Sequence, residues 1–349
     1  MLSASEKQQF SRQIRLPGFG EEKQLLLKNA HVMVIGVGGL GNSAAQYLAA
    51  AGIGRLTLVD FDRIEFHNLH RQPLFGVNDI GAYKAETAAR KLRENYPALD
   101  IKFVLSRFDA EGIPEFPSDI KLIADCTDNF SARYEIDTFA SSHRIPVLFG
   151  AIHRYEGRLA LFNGLKGTRY TDAYPHPPIS NHIRHCEEEG VIGPLAGLMG
   201  CMMTTAIIEF LTSGTSHVDG AMLHFDASTF TTSLFEISST LTTQVKPPVF
   251  TSLNASPSNA QLVKSGFYEL IDVREWHEHE ELNIGGKCLP AGNVREWENQ
   301  LDLNVTYLLY CSHGYQSSIV AQYISARFPQ FKIAHLKGGL EAWHELIKE

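Results

Sequence analysis

The stretch VMVIGVGGLGNS, residues 32–43, decides the fold of the N-terminal part of the chain. An apolar run leads into four glycines (Gly36, Gly38, Gly39 and Gly41), and residues that favour a helix follow. A glycine-rich turn between a buried strand and a helix directs backbone N–H groups and the helix N-terminus at a phosphate. The spacing therefore predicts a nucleotide site. Taken alone, it suits a dinucleotide for hydride transfer as well as ATP.

Strands and helices alternate on both sides of this loop. The runs HVMVI and RLTLVD predict buried parallel strands, and NSAAQYLAAAG and KAETAARKLRENY predict helices. We therefore expect an α/β domain with a mostly parallel sheet over residues 1–243. The Thr-, Ser-, Pro- and Asn-rich segment around residues 244–259 predicts a linker, and a second, smaller α/β pattern fills residues 260–349.

Composition narrows the class of protein. The 349 residues carry a net charge of -8, which argues against a general nucleic-acid binder. The polar N-terminus lacks the apolar core of a signal peptide, and five scattered cysteines suit a reducing compartment, so we expect a cytoplasmic protein. The apolar segment at residues 191–211 contains Pro194 and Glu209, which favours a buried helix over a membrane span.

The polar residues that follow the glycine loop favour ATP over a dinucleotide. Hydride transfer needs an apolar slot for nicotinamide, whereas attack on an α-phosphate needs cations to neutralise negative charge and a carboxylate for Mg²⁺. The chain supplies cations, carboxylates and neutral amides in short motifs. These residues are Arg12, Asp60, Asp62, Asn68, Arg71, Gln72, Lys84, Asp125, Asp128, Asn129 and Arg133.

These motifs resemble a known family. SRQIRL, GVGGLG, VDFD, NLHRQ, GAYKAE and DCTDN are similar to the MoeB/ThiF family, the bacterial relatives of ubiquitin-activating enzymes. The family has a Rossmann-like fold and adenylates the C-terminal glycine carboxylate of a small ubiquitin-like sulfur carrier. The resemblance implies that the four glycines line the ATP site, that Asp60 holds the ribose, and that Asp128 holds Mg²⁺. It further implies a nucleotide site that includes Asp62, Asn68, Arg71, Gln72, Lys84 and Asn129.

The resemblance carries three further expectations. Arg12 is expected to act on the nucleotide of the partner subunit in a homodimer. Cys186 lies in a segment similar to the family's crossover loop, where such a thiol joins covalently to the carrier or its sulfur in some members; the three glutamates that follow it leave a spectator role equally open. Many family members bind structural zinc through two CxxC pairs, but no cysteine stands at either place here, so zinc is not expected.

The C-terminal pattern centres on a thiol. In YCSHGYQS, Cys311 ends an apolar strand before a helix, so that backbone N–H groups and the helix start favour a thiolate. Phosphatases with a C-x5-R loop place an arginine where this chain has Ser317, so a dianionic phosphoryl group would lack its clamp. LIDVREWHEHE, this loop and LKGGLEAWHE resemble the rhodanese sulfurtransferases, which implies a persulfide on Cys311. A rhodanese fold without activity remains an alternative.

Together the two halves predict an enzyme that adenylates a ubiquitin-like sulfur carrier and transfers sulfur from a persulfide donor through Cys311. The product would be a thiocarboxylate for molybdopterin or thiamine biosynthesis, or for tRNA thiolation. We expect a homodimer that binds neither nucleic acid nor membrane. Two alternatives remain: a non-catalytic scaffold for a ubiquitin-like partner, and an NAD-dependent oxidoreductase, which would leave Arg71 and Lys84 without a role.

Overall fold

The computed structural model describes residues 1–109, 112–113, 116–175, 190–237, 251–312 and 314–348. These residues form two compact units. The first contains residues 1–173 and 190–237, and the second contains residues 251–348.

The first unit is built on an eight-stranded sheet. Its strands are β1 (His31–Ile35), β2 (Arg55–Val59), β3 (Asp100–Val104), β4 (Leu122–Asp125), β5 (Val147–His153), β6 (Glu156–Phe162), β7 (Ala221–Asp226) and β8 (Thr231–Glu236). The spatial order is β3-β2-β1-β4-β5-β6-β7-β8. The first five strands are parallel, and β6, β7 and β8 extend the sheet antiparallel. All five residues of β1 are buried, as an apolar strand at the centre of a parallel sheet requires.

Two helices of the first unit begin at residues whose side chains cap them. Ser3 forms a capping box with Glu6, and the Asn129 side chain accepts a hydrogen bond from Ala132 N–H at the start of the helix that follows it. The helices are α1 (Ala4–Gln9), α2 (Ser11–Ile14), α3 (Gly20–Asn29), α4 (Gly39–Ala50), α5 (Lys84–Asn95), α6 (Phe130–His143), α7 (Tyr170–Ala173) and α8 (Gly193–Ser213), with 3₁₀ turns at Phe66–Asn68 and Val77–Asp79.

Helix α8 is the apolar segment that composition alone could assign to a membrane. Among the described helices it is the one long and apolar enough to span a bilayer, with a mean hydropathy of 1.6. Its small residues pack closely on α4: a Cβ added at Gly200 would lie 2.7 Å from Ser43 Cβ, and Thr204 Oγ1 donates to Ala44 O at 3.3 Å. Met199 and Met203 are fully buried. Packing against α4 and the sheet therefore accounts for this part of its apolarity.

The second unit has a five-stranded, fully parallel sheet. Its strands are β9 (Thr251–Asn254), β10 (Glu269–Asp272), β11 (Lys287–Cys288), β12 (Thr306–Tyr310) and β13 (Lys332–Lys337), in the order β11-β10-β12-β13-β9. Its helices are α9 (Pro257–Lys264), α10 (Trp276–Glu281), α11 (Val294–Trp297), α12 (Tyr315–Arg327) and α13 (Gly339–Lys348), with 3₁₀ turns at Ala291–Asn293 and Glu298–Gln300.

The predicted linker differs from the structure. Residues 251–254 form β9, which pairs with β13, and α9 begins at Pro257. The part of residues 244–259 that the structure describes therefore belongs to the second unit, while residues 244–250 lie outside the described residues. The composition was misleading because β9 is an edge strand with three exposed side chains, and such a strand needs no apolar alternation.

Candidate active site

Three chain segments meet at the carboxyl edge of the first sheet. Strand β1 lies between β2 and β4, which is where the strand order reverses and where open parallel sheets bind ligands. The glycine loop follows β1, Asp60 follows β2, and Asp128 follows β4. A Cβ added at Gly36 would lie 2.9 Å from Cys126 O, so the loops after β1 and β4 are in contact.

The glycines of the loop serve different purposes. Gly36 has φ +85°, a conformation that L side chains rarely adopt, and a Cβ added at Gly41 would overlap the carbonyl oxygen of Gly36. Gly38 has an ordinary φ of -75°, and among the described residues a Cβ there would meet only Gln72 Nε2, at 3.9 Å. The backbone therefore requires Gly36 and Gly41, whereas no residue that the structure describes requires a glycine at position 38. A glycine at that position would let the backbone approach a bound phosphate with no side chain in between.

Asp60 is buried and braces the loop from β2. Its Oδ2 accepts from Val37 N–H at 2.7 Å and its Oδ1 accepts from Asp62 N–H at 2.7 Å. Burial raises the pKa of Asp60 to about 6, and the positive charge of Lys84 opposes that rise. An acid that is fixed in this way at the end of the second strand is in the position of a ribose-binding residue.

Two of the predicted cations lie beside the loop. Lys84, at the first residue of α5, is only 8% exposed, and its Nζ is 2.9 Å from Asp62 Oδ2. Arg71 passes over the loop, since its Cδ would lie 3.7 Å from a Cβ at Gly39, and its guanidinium donates to His67 O at 3.1 Å. The default for a helical lysine is a solvated charge, and Lys84 departs from it. These cations are placed to meet negative charge above the loop.

Two neutral residues of the prediction lie in the same turn as Arg71. Asn68 is buried, and its Oδ1 accepts from Glu65 N–H at 3.1 Å, which fixes that turn. Gln72 is 1% exposed, and its Oε1 has no hydrogen-bond partner within the described residues. A buried amide oxygen with no partner beside Gly38 is compatible with a bound donor at the loop.

Asp128 and Asp125 have different environments after β4. Asp125 is fully buried, accepts from Thr127 N–H and Thr127 Oγ1 at 3.0 and 2.7 Å, and has a pKa raised by burial. Asp128 is exposed and accepts no hydrogen bond from the part of the chain that the structure describes. Asn129 is occupied as the helix cap of α6. Mg²⁺ commonly binds one or two carboxylates together with substrate phosphates, and Asp128 fits that donor set better than Asp125.

Arg12 lies at the opposite end of α4 from the glycine loop of its own chain. The neighbouring Gln13 donates to Ala51 O at 3.1 Å, and Phe10 is next to Gly52, both just beyond α4. The 12 residues of α4 correspond to about 18 Å of helix. Arg12 itself is exposed and has no ion pair with any described residue. To contact the nucleotide site of its own chain, the Arg12 side chain would have to reach along most of the length of α4.

The predicted thiol Cys186 falls outside the described residues. The same undescribed segment contains His176, His182 and His185. The prediction of a reactive thiol at position 186 therefore stays a prediction. Among the described residues, no group of three or more His, Cys, Asp or Glu side chains could hold a metal ion.

In the second unit, Cys311 lies at the end of β12, directly before the loop that leads into α12. Its thiol is 2% exposed and donates to Ser317 Oγ at 3.7 Å. Gly314, with φ +80°, caps α12. The turn after β13 closes on this loop, because Leu340 N–H donates to Cys311 O at 2.9 Å and a Cβ at Gly339 would overlap that same oxygen. The glycines of the LKGG motif thus allow the close approach that shapes the thiol loop.

The buried pair Asp272 and Arg274 braces a different segment. Arg274 Nε and Nη2 bind the two carboxylate oxygens of Asp272 at 3.0 and 2.6 Å, and Nη2 also donates to Leu282 O. His279 Nδ1 lies 2.9 Å from Asp272 Oδ2. Their direct side-chain contacts thus hold the chain after β10. Nearby, burial raises the pKa of the Cys288 thiol to about 11.

Comparison with protein families matches both units. The model of the ThiF family matches residues 10–245, and the model of the rhodanese-like domain matches residues 257–346. The chain belongs to the ThiF family. It carries a rhodanese-like domain after the ThiF domain, as the two sets of motifs predicted.

Relatives of known description match over nearly the whole chain. A protein of Drosophila willistoni named adenylyltransferase and sulfurtransferase MOCS3 is 31% identical over 98% of this chain and 84% of its own length. A probable molybdopterin-synthase adenylyltransferase of Porphyra purpurea is 32% identical over 99% of this chain and 94% of its own length. The predicted enzyme class, an adenylyltransferase with a sulfurtransferase module, is confirmed by these relatives.

Solved structures support the fold. MccB of E. coli, in a structure with ATP, superimposes with a TM-score of 0.60 at 20% identity, over 68% of this chain and 74% of MccB. PaaA gives a TM-score of 0.57 at 22% identity. The predicted fold class, a Rossmann-like ThiF-type domain followed by a rhodanese-like domain, is therefore confirmed.

Proposed function

We propose that the first unit adenylates the C-terminal glycine carboxylate of a small ubiquitin-like sulfur carrier, and that the second unit supplies the sulfur. The observation that carries the first half is the placement of Lys84 and Arg71 beside the glycine loop and Asp60. Two cations at a nucleotide loop suit attack on a phosphate better than hydride transfer, whose reacting nicotinamide needs an apolar slot. The relatives' names support the same class of reaction.

In the first step, a carboxylate oxygen of the carrier attacks the α-phosphorus of ATP, and pyrophosphate leaves. Negative charge builds up on the phosphoryl oxygens, where Arg71 and Lys84 stabilise it. The buried Asp60 fixes the loop through its hydrogen bond from Val37 N–H, and it accepts a hydrogen bond from a ribose hydroxyl. The product is an acyl adenylate, in which AMP is a good leaving group.

Asp128 is the residue that would hold Mg²⁺. When bound, the ion supplies charge neutralisation on the ATP phosphates. Asp128 is the exposed carboxylate at the end of β4, and it leaves room for phosphate oxygens because no described residue hydrogen-bonds to it. Asp125 keeps the Thr127 turn in place beneath it.

In the second step, a persulfide on Cys311 attacks the activated carbonyl carbon. The C–O bond to AMP breaks, and the carrier is left joined to Cys311 through an acyl disulfide. A second thiolate, for which Cys186 is the candidate, attacks the Cys311 sulfur and releases the carrier as a thiocarboxylate. The resulting Cys311–Cys186 disulfide is reduced by an external thiol, and a persulfide donor then reloads Cys311.

We assign Arg12 to the nucleotide site of the partner subunit in a homodimer. Its position at the far end of α4 supports this assignment, and arginines that act in trans on phosphoryl groups are well known. The test mixes Arg12→Ala chains with Asp128→Ala chains, each of which we expect to be inactive alone. Recovery of activity in the mixture supports the assignment. Absence of recovery after verified subunit exchange means that Arg12 acts within its own chain.

The carrier of molybdopterin synthase is the first carrier to test, because relatives carry that name. The thiamine carrier and the carrier of tRNA thiolation are the alternatives. We also place the reaction in the cytoplasm, since a persulfide relay requires reduced thiols and none of the described cysteines is in a disulfide.

Exchange of labelled pyrophosphate into ATP tests the proposed function. We expect exchange only when a carrier with a C-terminal glycine is present, and a loss of about 10²-fold or more in Asp128→Ala. Asp100→Ala is the matched control, because Asp100 is an exposed aspartate at the opposite edge of the sheet, at the start of β3. A scaffold or an NAD-dependent oxidoreductase gives no carrier-dependent exchange.

A further inference from the structure

Cys311 shares a hydrogen-bond network with two residues that the proposed function does not use. Ser317 Oγ accepts from the Cys311 thiol at 3.7 Å and donates to Gly314 O at 3.2 Å. Ser317 is 0% exposed, so water does not compete for its hydroxyl. Gly314 O is thus the acceptor that holds the serine hydroxyl while Cys311 carries its proton.

The network changes when the thiol ionises. The S–H donor disappears, and Ser317 Oγ is then a possible donor 3.7 Å from the sulfur anion. The hydroxyl can turn from Gly314 O to the sulfur only if that carbonyl keeps another partner, since an unsatisfied buried acceptor is costly. Ser318 N–H supplies this partner at 3.3 Å.

We propose that Ser317 is a catalytic residue of the sulfur-transfer site, whose hydroxyl donates to the Cys311 thiolate while Ser318 N–H keeps Gly314 O hydrogen-bonded. Ser317 stands where C-x5-R loops have arginine, so a neutral donor takes the place of a cation. Such a site suits a singly charged sulfur anion rather than a phosphoryl dianion. The inference rests on the proposed sulfur chemistry, but its main test does not require that chemistry.

The test is the rate at which iodoacetamide alkylates Cys311 at pH 7, followed on the Cys311 peptide by mass spectrometry. We expect Ser317→Ala to slow alkylation about tenfold, the effect of about 1.4 kcal/mol. Ser325→Ala is the matched control, because Ser325 is a buried serine on the same helix whose Oγ has no partner among the described residues. Equal rates in Ser317→Ala and Ser325→Ala would overturn the proposal.

Ser317→Thr tests the hydroxyl itself. This variant keeps a donor at the same position, so its Cys311 should be alkylated at close to the wild-type rate. A rate about tenfold below the wild-type rate in Ser317→Thr would overturn the proposal. The same comparison decides the role of the hydroxyl if Ser317→Ala does not fold.

Sulfur loading from thiosulfate separates this inference from the proposed function. A wild-type chain that takes up no sulfur on Cys311 refutes the persulfide step, yet the alkylation rates still decide the role of Ser317. A chain that loads sulfur should do so about tenfold more slowly in Ser317→Ala, with little change in KM for thiosulfate.

Discussion

Gly38→Ala separates nucleotide binding from folding in the glycine loop. Of the atoms that the structure describes, the added Cβ would meet only Gln72 Nε2, at 3.9 Å, and φ at this position is -75°, so the folded backbone accepts a side chain. Alanine is a poorer helix N-cap than glycine, but it also reduces the entropy of the unfolded chain, and these two effects of under about 1 kcal/mol oppose each other. The melting temperature should therefore change by no more than about 2 °C.

The effect on ATP should be much larger. If the phosphates lie against the Gly38 backbone, as we propose, the methyl group occupies the space they need. We expect KM for ATP to rise at least about tenfold, which corresponds to about 1.4 kcal/mol. The assay is carrier-dependent pyrophosphate exchange at varied ATP concentration, with thermal unfolding of the same samples.

Gly41→Ala is the contrasting variant. Its Cβ would overlap Gly36 O and lie 3.0 Å from Gly36 C, so the loop has to move. Overpacking of this kind costs about 3 kcal/mol, or roughly 6–12 °C in melting temperature. Stability and activity should fall together in this variant. A Gly38→Ala chain with unchanged KM for ATP would refute the placement of the phosphates on the loop.

Three further predictions concern protonation, the second unit and zinc. The pKa of Asp60 is raised to about 6 by burial, so proton binding there stabilises the fold below about pH 4, and this contribution is lost as pH rises through 6. From pH 4 to pH 7, the free energy of unfolding in urea should fall by up to about 3 kcal/mol more in the wild-type chain than in Asp60→Asn. The same pH dependence of unfolding in both chains would contradict this prediction. Arg274→Ala removes the guanidinium that pairs with the fully buried Asp272 and should destabilise the second unit by about 3–5 kcal/mol, whereas Lys287→Ala, which breaks an exposed pair, should cost less than about 1 kcal/mol. Elemental analysis should find no zinc held by the chain, and one tightly bound zinc per chain would disprove that.

The parallel strands and the glycine loop were predictable from the sequence because both depend on local patterns. Apolar β-branched runs form the buried strands β1 and β2, and the glycine spacing fixes a turn whose backbone excludes side chains at Gly36 and Gly41. The antiparallel strands β6 to β8 were not predicted. All six residues of β8 are exposed, and such an edge strand has no apolar periodicity to detect.

The electrostatics of the site depend on contacts between distant residues. Lys84 has the appearance of a solvated helix residue, and only the fold shows that it is buried and pairs with Asp62, 22 positions earlier. Ser317 is one of two adjacent serines in α12, and only the folded loop shows that its hydroxyl contacts the Cys311 thiol. Sequence patterns identify which residues are chemically capable, but tertiary contacts decide which of them act together.

Formation of a thiocarboxylate on the carrier tests the central claim most directly. The reaction contains the chain, a ubiquitin-like carrier with a C-terminal glycine, Mg²⁺-ATP and a persulfide donor, and the intact carrier is weighed by mass spectrometry. We predict that the wild-type chain converts the carrier's carboxylate to a thiocarboxylate only with ATP. Cys311→Ser should abolish this conversion but keep pyrophosphate exchange, and Asp128→Ala should abolish both. Conversion without ATP, or at the wild-type rate in Cys311→Ser, would contradict the account.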